Sequence, residues 1–159
     1  MPPLRVKASR AWRSLATLTA QTKPDQVRVG DMARATRSFT DADVASFAQL
    51  SRDSNPLHHE SGVASASRFG GRVVHGMLYG SMFSAIIGQL FPGAVYVSQS
   101  LRFHKPVVVG DSITAEIEVK EVGARGRLLT FRSDCLNQHG ERVLSGEACA
   151  LLPKDRRKE

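Results

Sequence analysis

Within six residues, Asp53 to His58, the chain places a carboxylate, a proline turn and an imidazole. Pro56 fixes its own φ at about −65° and pushes Asn55 out of the helical region, so the backbone must turn between the two ionisable groups. Asp53 and His58 can then converge on one point instead of lying on opposite sides of a helix. A neutral imidazole accepts or donates a proton near neutral pH, and an ionised carboxylate orients a water and takes its proton as charge develops. Such a pair suits addition or removal of water. The competing explanation is structural, because Asp and Asn ahead of a proline are ordinary turn and capping residues.

A second element lies downstream, where the apolar run Val73-Val74 ends in His75-Gly76 and a helical stretch follows over residues 77–91. A glycine opening a helix exposes backbone N–H groups without intrahelical partners, and the helix dipole makes that end attractive to negative charge. An oxyanion site needs this arrangement, although a plain helix-start glycine has the same sequence. His75 reads as fixing the turn before Gly76, and His59 and His104 as surface or strand histidines. Met77, Gly80, Ser84 and Gly88 recur at three- and four-residue intervals along the helix. An interior glycine costs up to ~1 kcal/mol relative to alanine, so the stripe serves close helix–sheet packing, a groove, or both.

The elements that must hold these residues read as α+β. Residues 29–39 form a first strand, and Thr40 caps a helix running to residue 50, with Asp41 and Asp43 in its first turn and Val44, Phe47, Ala48 and Leu50 on its buried face. Residues 59–68 read as a short polar helix or loop. Residues 95–104 alternate, with Val95, Val97, Leu101 and Phe103 on one side and Tyr96, Ser98, Ser100, Arg102 and His104 on the other. Ile113, Ala115, Ile117 and Val119 alternate with polar residues in the next strand, and residues 128–136 and 142–152 complete the set. Gly110-Asp111 and the segment from Gly123 to Gly126 are expected to turn hairpins between successive strands.

Composition narrows the function. The formal net charge of +7 would suggest nucleic acid, but residues 1–24 hold five basic and no acidic side chains and residues 154–159 contribute +2. Residues 25–153 carry 13 basic and 13 acidic side chains, and only ten aromatics are spread along the chain, so neither a basic face nor a stacking platform is expected. The chain divides into a leader over 1–24, one domain over 25–153 and a charged tail over 154–159. In the leader Leu4, Ala8, Ala11, Trp12, Leu15 and Leu18 make one apolar face on a basic helix, the pattern of a mitochondrial transit segment. No run of 18 apolar residues spans a membrane. Cys135 and Cys149 read as core thiols, with no metal-ligand spacing, so no metal is expected.

Ser51-x-Asp53-x-Asn55-Pro56-Leu57-His58, with Ala64 six residues after the histidine, is followed by Val74-His75-Gly76-Met77-Leu78, Gln99-Ser100-Leu101-x-Phe103 and Pro106-Val107-x-Val109-Gly110-Asp111. In this order the motifs resemble the MaoC-like (R)-specific enoyl-thioester hydratases, or hydratase 2, over residues 27–152. Arg52 departs from the pattern, since many members carry glycine there. With its basic leader the chain is similar in kind to the mitochondrial 3-hydroxyacyl-thioester dehydratases of type 2. The resemblance implies a single hot-dog domain, an antiparallel sheet of about five strands wrapped around the long helix. It implies reversible syn hydration of a trans-2-enoyl thioester, running as dehydration in fatty-acid synthesis in the mitochondrial matrix. Asp53 and His58 would hold the water, either of them serving the C2 proton. The Gly76 N–H would polarise the thioester carbonyl, Ser84 would lie near the thioester, Gly80 would line an acyl groove and Asn55 would join the binding set. No cofactor is needed, because the thioester acidifies C2.

The acyl group would ride on acyl carrier protein, with Arg68, Arg72, Arg102 and Lys105 drawing in that acidic partner. Alternatives are a coenzyme A-specific (R)-enoyl hydratase of fatty-acid oxidation, a hot-dog acyl-thioesterase, and a non-enzymatic acyl-binding protein. A wrapped sheet with an unprotected edge also leads us to expect a homodimer.

Overall fold

The computed structural model describes residues 18–19, 22–59, 69–123 and 126–153. Residues 1–17 of the expected leader, Ala64, Arg68 and the tail lie outside the described residues, whereas Leu18, counted above on the leader's apolar face, is buried in the domain core with its N–H donating to Met32 O. After a 3₁₀ turn at Pro24–Gln26 the chain runs through β1 (Met32–Ser38), α1 (Asp41–Ser51), α2 (Pro56–His59), α3 (Gly76–Gly80), α4 (Met82–Leu90), β2 (Val95–Phe103), β3 (Ser112–Gly123), β4 (Leu128–Leu136) and β5 (Arg142–Leu151). The five strands form one antiparallel sheet in the order β1-β3-β4-β5-β2.

Alternation builds β3 as the sequence reading has it: Ile113, Ala115, Ile117 and Val119 are fully buried and their polar neighbours are not. Helix α4 supplies Phe83, Ile86, Ile87 and Leu90 to the same core, which the sheet closes with Phe131, Leu144 and Ala148. Burying each of the large side chains is worth about 1.5–3 kcal/mol, so this contact dominates the domain's stability. Ser81, between α3 and α4, keeps right-handed helical angles and donates its N–H to Met77 O, while Ala85 N donates to Ser81 O, so the helical path runs on from Gly76 to Leu90. The sheet wrapped on this central helix is the hot-dog arrangement.

Four expectations are corrected. Leu50 is not on the buried face of α1: it is 85% exposed, because the arc of Val44, Phe47 and Ala48 turns toward the core and residue 50 falls on its far side. In β2 the register shifts between Tyr96 and Ser98, leaving Val97 as an extra residue against Cys149 and Ala150. That bulge reverses the alternation, so Tyr96 and Leu101 pack against the core while Val95 and Val97 face outward. Nor do β2 and β3 form a hairpin. β2 pairs with β5 at the sheet's edge, and the connection after it runs alongside residues 72–74, with Val74 N donating to Val107 O and Val109 N to Arg72 O. Pro106 has no N–H to offer a returning strand, and Gly110-Asp111 turns the chain only after this detour. The β3–β4 pair is a hairpin as expected. The first strand is shorter than expected, since Gly30, at φ 90°, turns the chain before Met32.

Candidate active site

Two segments meet at the site, and each is held by its own hydrogen bonds. The first begins where Thr40 caps α1: its hydroxyl accepts from Asp43 N and its N–H donates to Asp43 Oδ2. The helix ends at Arg52, which takes a left-handed conformation with φ 58° and ψ 24° and so swings Asp53 off the helix axis. Asp53 Oδ1 accepts from Asn55 N at 3.2 Å, and Asn55 Oδ1 in turn accepts from Leu57 N at 3.1 Å. Asn55 therefore caps the short α2 that carries His58, and its side-chain oxygen is committed to that task. His59, at the end of α2, reaches Asp53 O with its ring Nε2 at 3.1 Å.

The second segment, residues 72–76, lies between the connection after β2 and α2. Val73 N donates to Leu57 O, and Val73 O accepts from His58 Nδ1 at 2.6 Å. A carbonyl only accepts, so that bond puts the ring proton on Nδ1 and leaves the lone pair on Nε2. His58 Nε2 lies 3.9 Å from Asp53 Oδ2. The carboxylate is 46% exposed while the His58 ring is largely covered, an open acceptor facing a sheltered one.

Gly76 opens α3 directly after this segment. A Cβ built there would lie 2.5 Å from Phe103 Cε1, so the Phe103 ring on β2 occupies the space of a side chain. His58 and Gly76 face one cleft of about 420 Å³, whose walls include Val73, Tyr79, Phe103, Lys105 and Val107. Asp53 sits beside it, 3.9 Å from His58. Tyr79 stands edge-on to Phe103 with ring centroids 6.0 Å apart, and burial pushes its phenol well above the usual range.

The structure thus brings Asp53, His58 and Gly76 together. The helix stripe does not form a covered groove: Gly80 meets the sheet, where a Cβ would lie 3.4 Å from Leu101 Cδ1, whereas Met77, Ser84 and Gly88 are exposed and Ser84 Oγ donates to Ser81 O. Among the cations expected to meet a carrier, Arg72 is paired with Asp41 and Lys105 with Glu141, and Arg102 is exposed.

The structure also brings to the site His75, which the sequence reading placed only as fixing the turn before Gly76. His75 is buried, its ring stacks on His58 at 3.7 Å, and its Nε2 lies 4.0 Å from Asp53 Oδ2. Burial and the neighbouring His58 hold its imidazole below the usual histidine range, against the opposing pull of Asp53. The His75-Gly76 pair was the available signal, but the ring contacts of His75 come from residues 16 to 28 positions away and leave no periodic trace. Among the described residues, Asp53, His58 and His75 are the grouping that could hold a metal ion, with ligand atoms all within 4.8 Å. Two stacked imidazoles aim their in-plane lone pairs side by side, which suits a tetrahedral ion poorly.

The family profile described as "MaoC like domain" matches residues 20–132. A mitochondrial 3-hydroxyacyl-[acyl-carrier-protein] dehydratase of Arabidopsis thaliana is 41% identical, covering 89% of this chain and 85% of that protein. An (R)-specific enoyl-CoA hydratase of Aeromonas caviae is 42% identical over 80% of this chain and 96% of its own length. The solved structure of an (R)-hydratase from A. caviae involved in PHA biosynthesis superposes with a TM-score of 0.77, at 41% identity over 80% of this chain and 98% of that one.

Proposed function

The chain belongs to the MaoC-like domain family and is a hydro-lyase, and on that premise we propose that it is a (3R)-hydroxyacyl-thioester dehydratase, catalysing reversible syn addition of water to trans-2-enoyl thioesters. The observation that carries this reading is the pairing of two acceptors, Asp53 Oδ2 and the His58 Nε2 lone pair, across 3.9 Å. Neither can hydrogen-bond the other while His58 is neutral. A water between them donates one proton to each and keeps an oxygen lone pair free for C3.

In hydration the water oxygen bonds to C3, one water proton passes to the pair, and a proton is delivered to C2 on the same face. In dehydration the C2 proton leaves to the pair and the C3 hydroxyl departs as water. Negative charge gathers on the thioester oxygen in both directions, and the Gly76 N–H at the start of the helix is the donor for it. A side chain at residue 76 would collide with Phe103, which supports a role for close backbone approach there. The apolar walls of the 420 Å³ cleft suit an acyl chain.

The acyl group rides on acyl carrier protein and the enzyme works in the mitochondrial matrix in this reading, supported by the acid-free basic leader and by the mitochondrial relative from Arabidopsis. The A. caviae relative supports the second reading, a coenzyme A-specific hydratase. Val95, Val97 and Phe103 are exposed on β2 at the sheet's edge, which supports a homodimer. The testing experiment is incubation with crotonyl-CoA while following both the conjugated thioester absorbance and free thiol. Loss of absorbance without thiol is the expected result. Release of thiol would instead mean a thioesterase, and no change would leave only binding. Comparing kcat/KM for crotonyl groups on carrier protein and on coenzyme A then decides the carrier.

A further inference from the structure

The activity proposed above leaves one buried group without a task. His75 is 2% exposed, and neither of its ring nitrogens makes a hydrogen bond of good geometry among the described residues, although the Asp53 backbone also pulls on the ring. A phenylalanine would fill the same space against Phe47, whose ring centroid is 5.0 Å away, without burying two unpaired nitrogens. Packing alone therefore does not account for an imidazole here.

The carboxylate does. Asp53 Oδ2 is nearly equidistant from the two rings, 3.9 Å from His58 Nε2 and 4.0 Å from His75 Nε2. His58 spends its one proton on Val73 O, so in the neutral state it turns a lone pair to Asp53. His75 is free to carry its proton on Nε2. The titratable groups facing His75 are His58 stacked on it, His59 edge-on at 6.3 Å, and Asp53 itself. Burial first, then His58, keeps the imidazole neutral, so it has a single N–H to place. Asp53 is half-exposed and, among the described residues, its carboxylate is hydrogen-bonded through Oδ1 by Asn55 N, so a small side-chain rotation brings Oδ2 to bonding distance of that N–H.

We propose that His75 is a positioning residue for Asp53: in its Nε2–H tautomer it donates to Oδ2 of the carboxylate, fixing the acceptor that shares the reacting water with His58. This rests on the dehydratase reading, but its first test does not. In protein labelled with ¹⁵N-histidine, long-range nitrogen–proton correlations read the tautomer of each ring without substrate or substitution. His75 protonated on Nε2 and His58 on Nδ1 is the expected result, and His75 protonated on Nδ1 overturns the proposal.

Kinetics on crotonyl-CoA provide the second test. His75→Phe should lower kcat about 10- to 100-fold, the worth of a hydrogen bond to a charged group, with KM nearly unchanged. The acid limb of kcat/KM should also move to higher pH, because a donor to a carboxylate favours its ionised form. His75→Gln, whose amide N–H reaches the Nε2 position, should recover most of kcat and return the limb. Wild-type kcat with an unmoved limb in the Phe variant overturns the proposal, and so do equal losses in both variants with an unmoved limb, which would mean packing only. A wild-type protein without turnover would sink the dehydratase reading while the tautomer measurement still decides the role of His75.

Discussion

The turn from Arg52 to Asn55 and the segment from Val73 to Gly76 supply opposite halves of one site, and they are built in opposite ways. The turn is exposed and closes through bonds two residues apart, Asn55 N to Asp53 Oδ1 and Leu57 N to Asn55 Oδ1. The second segment is largely buried and held from a distance, by Leu57 and His58 on one side and by Val107, Val109 and Phe103 on the other. A half-exposed, locally made turn tolerates chemical change without loss of the fold. A half made by tertiary contact ties chemistry to packing, so substitutions there should alter both.

The largest effects should separate the two kinds of damage. Asp53→Asn and His58→Ala should each lower hydratase turnover by ~100- to 10,000-fold, the usual worth of a general acid or base. Asp53→Asn, on the turn, should leave the melting temperature in place. His58→Ala loses both the bond to Val73 O and the stack on His75, so it should also melt earlier. Equal melting temperatures for the two would break the contrast between the halves. Near-wild-type turnover in either would remove that residue from the reaction.

Gly76→Ala should come next. The added methyl meets the Phe103 ring, which is 48% exposed and can swing aside at a cost of about 1–3 kcal/mol. Turnover and stability should fall together, and adding Phe103→Ala should return stability more fully than turnover, because a displaced backbone N–H still misses the thioester oxygen. Thermal melts and steady-state rates on the single and double variants check this. Full recovery of both would mean that Gly76 serves packing alone.

These contrasts follow what could be read from the chain. Thr40, Asp43, Asn55 and Pro56 act on neighbours one to three residues away, so the capped helix, the turn and the convergence of Asp53 with His58 were legible. The α+β content and the β3–β4 hairpin were legible for the same reason of local periodicity. The path of β2 was not, because a single extra residue at Val97 reverses the alternation, and its partner β5 lies some 50 residues on. The surroundings of His75 were not legible either, because its ring contacts come from Phe47, His58 and His59, 16 to 28 residues away. The small-residue stripe misled for the converse reason, as a regular spacing that does not tell what its members meet: Gly80 packs on the sheet, and Met77, Ser84 and Gly88 are exposed.

A smaller effect lies in the pH dependence of stability. Burial and His58 hold the His75 imidazole below the ordinary histidine value of about 6.5, so the unfolded chain binds a proton there before the folded protein does. Where the unfolded state binds more protons, stability rises with pH. The contribution of His75 is thus whole above about pH 6.5 and is lost as pH falls from there through the lower folded value. Denaturant midpoints between pH 7.5 and 5 should decline, and His75→Phe should flatten that part of the decline. An identical slope in the variant would assign the acid sensitivity to other groups.

The smallest expected effect tests the turn itself. Arg52 is the one non-glycine residue with positive φ among the described residues, and its guanidinium has no ion pair there. Left-handed geometry costs an L-residue about 1–2 kcal/mol, while glycine gives back about 0.5–1 kcal/mol through the greater freedom of its unfolded chain. Arg52→Gly should therefore stabilise the protein by roughly 0.5–1 kcal/mol, a rise in melting temperature of about 1–4 °C for a domain of this size. Turnover should not change, because Asp53 is already held by Asn55 N and glycine adopts the same angles without strain. A stabilised variant with reduced kcat would mean that arginine's narrower backbone range is part of how Asp53 is aimed, and the turn would then be less independent of its chemistry than its local bonds imply.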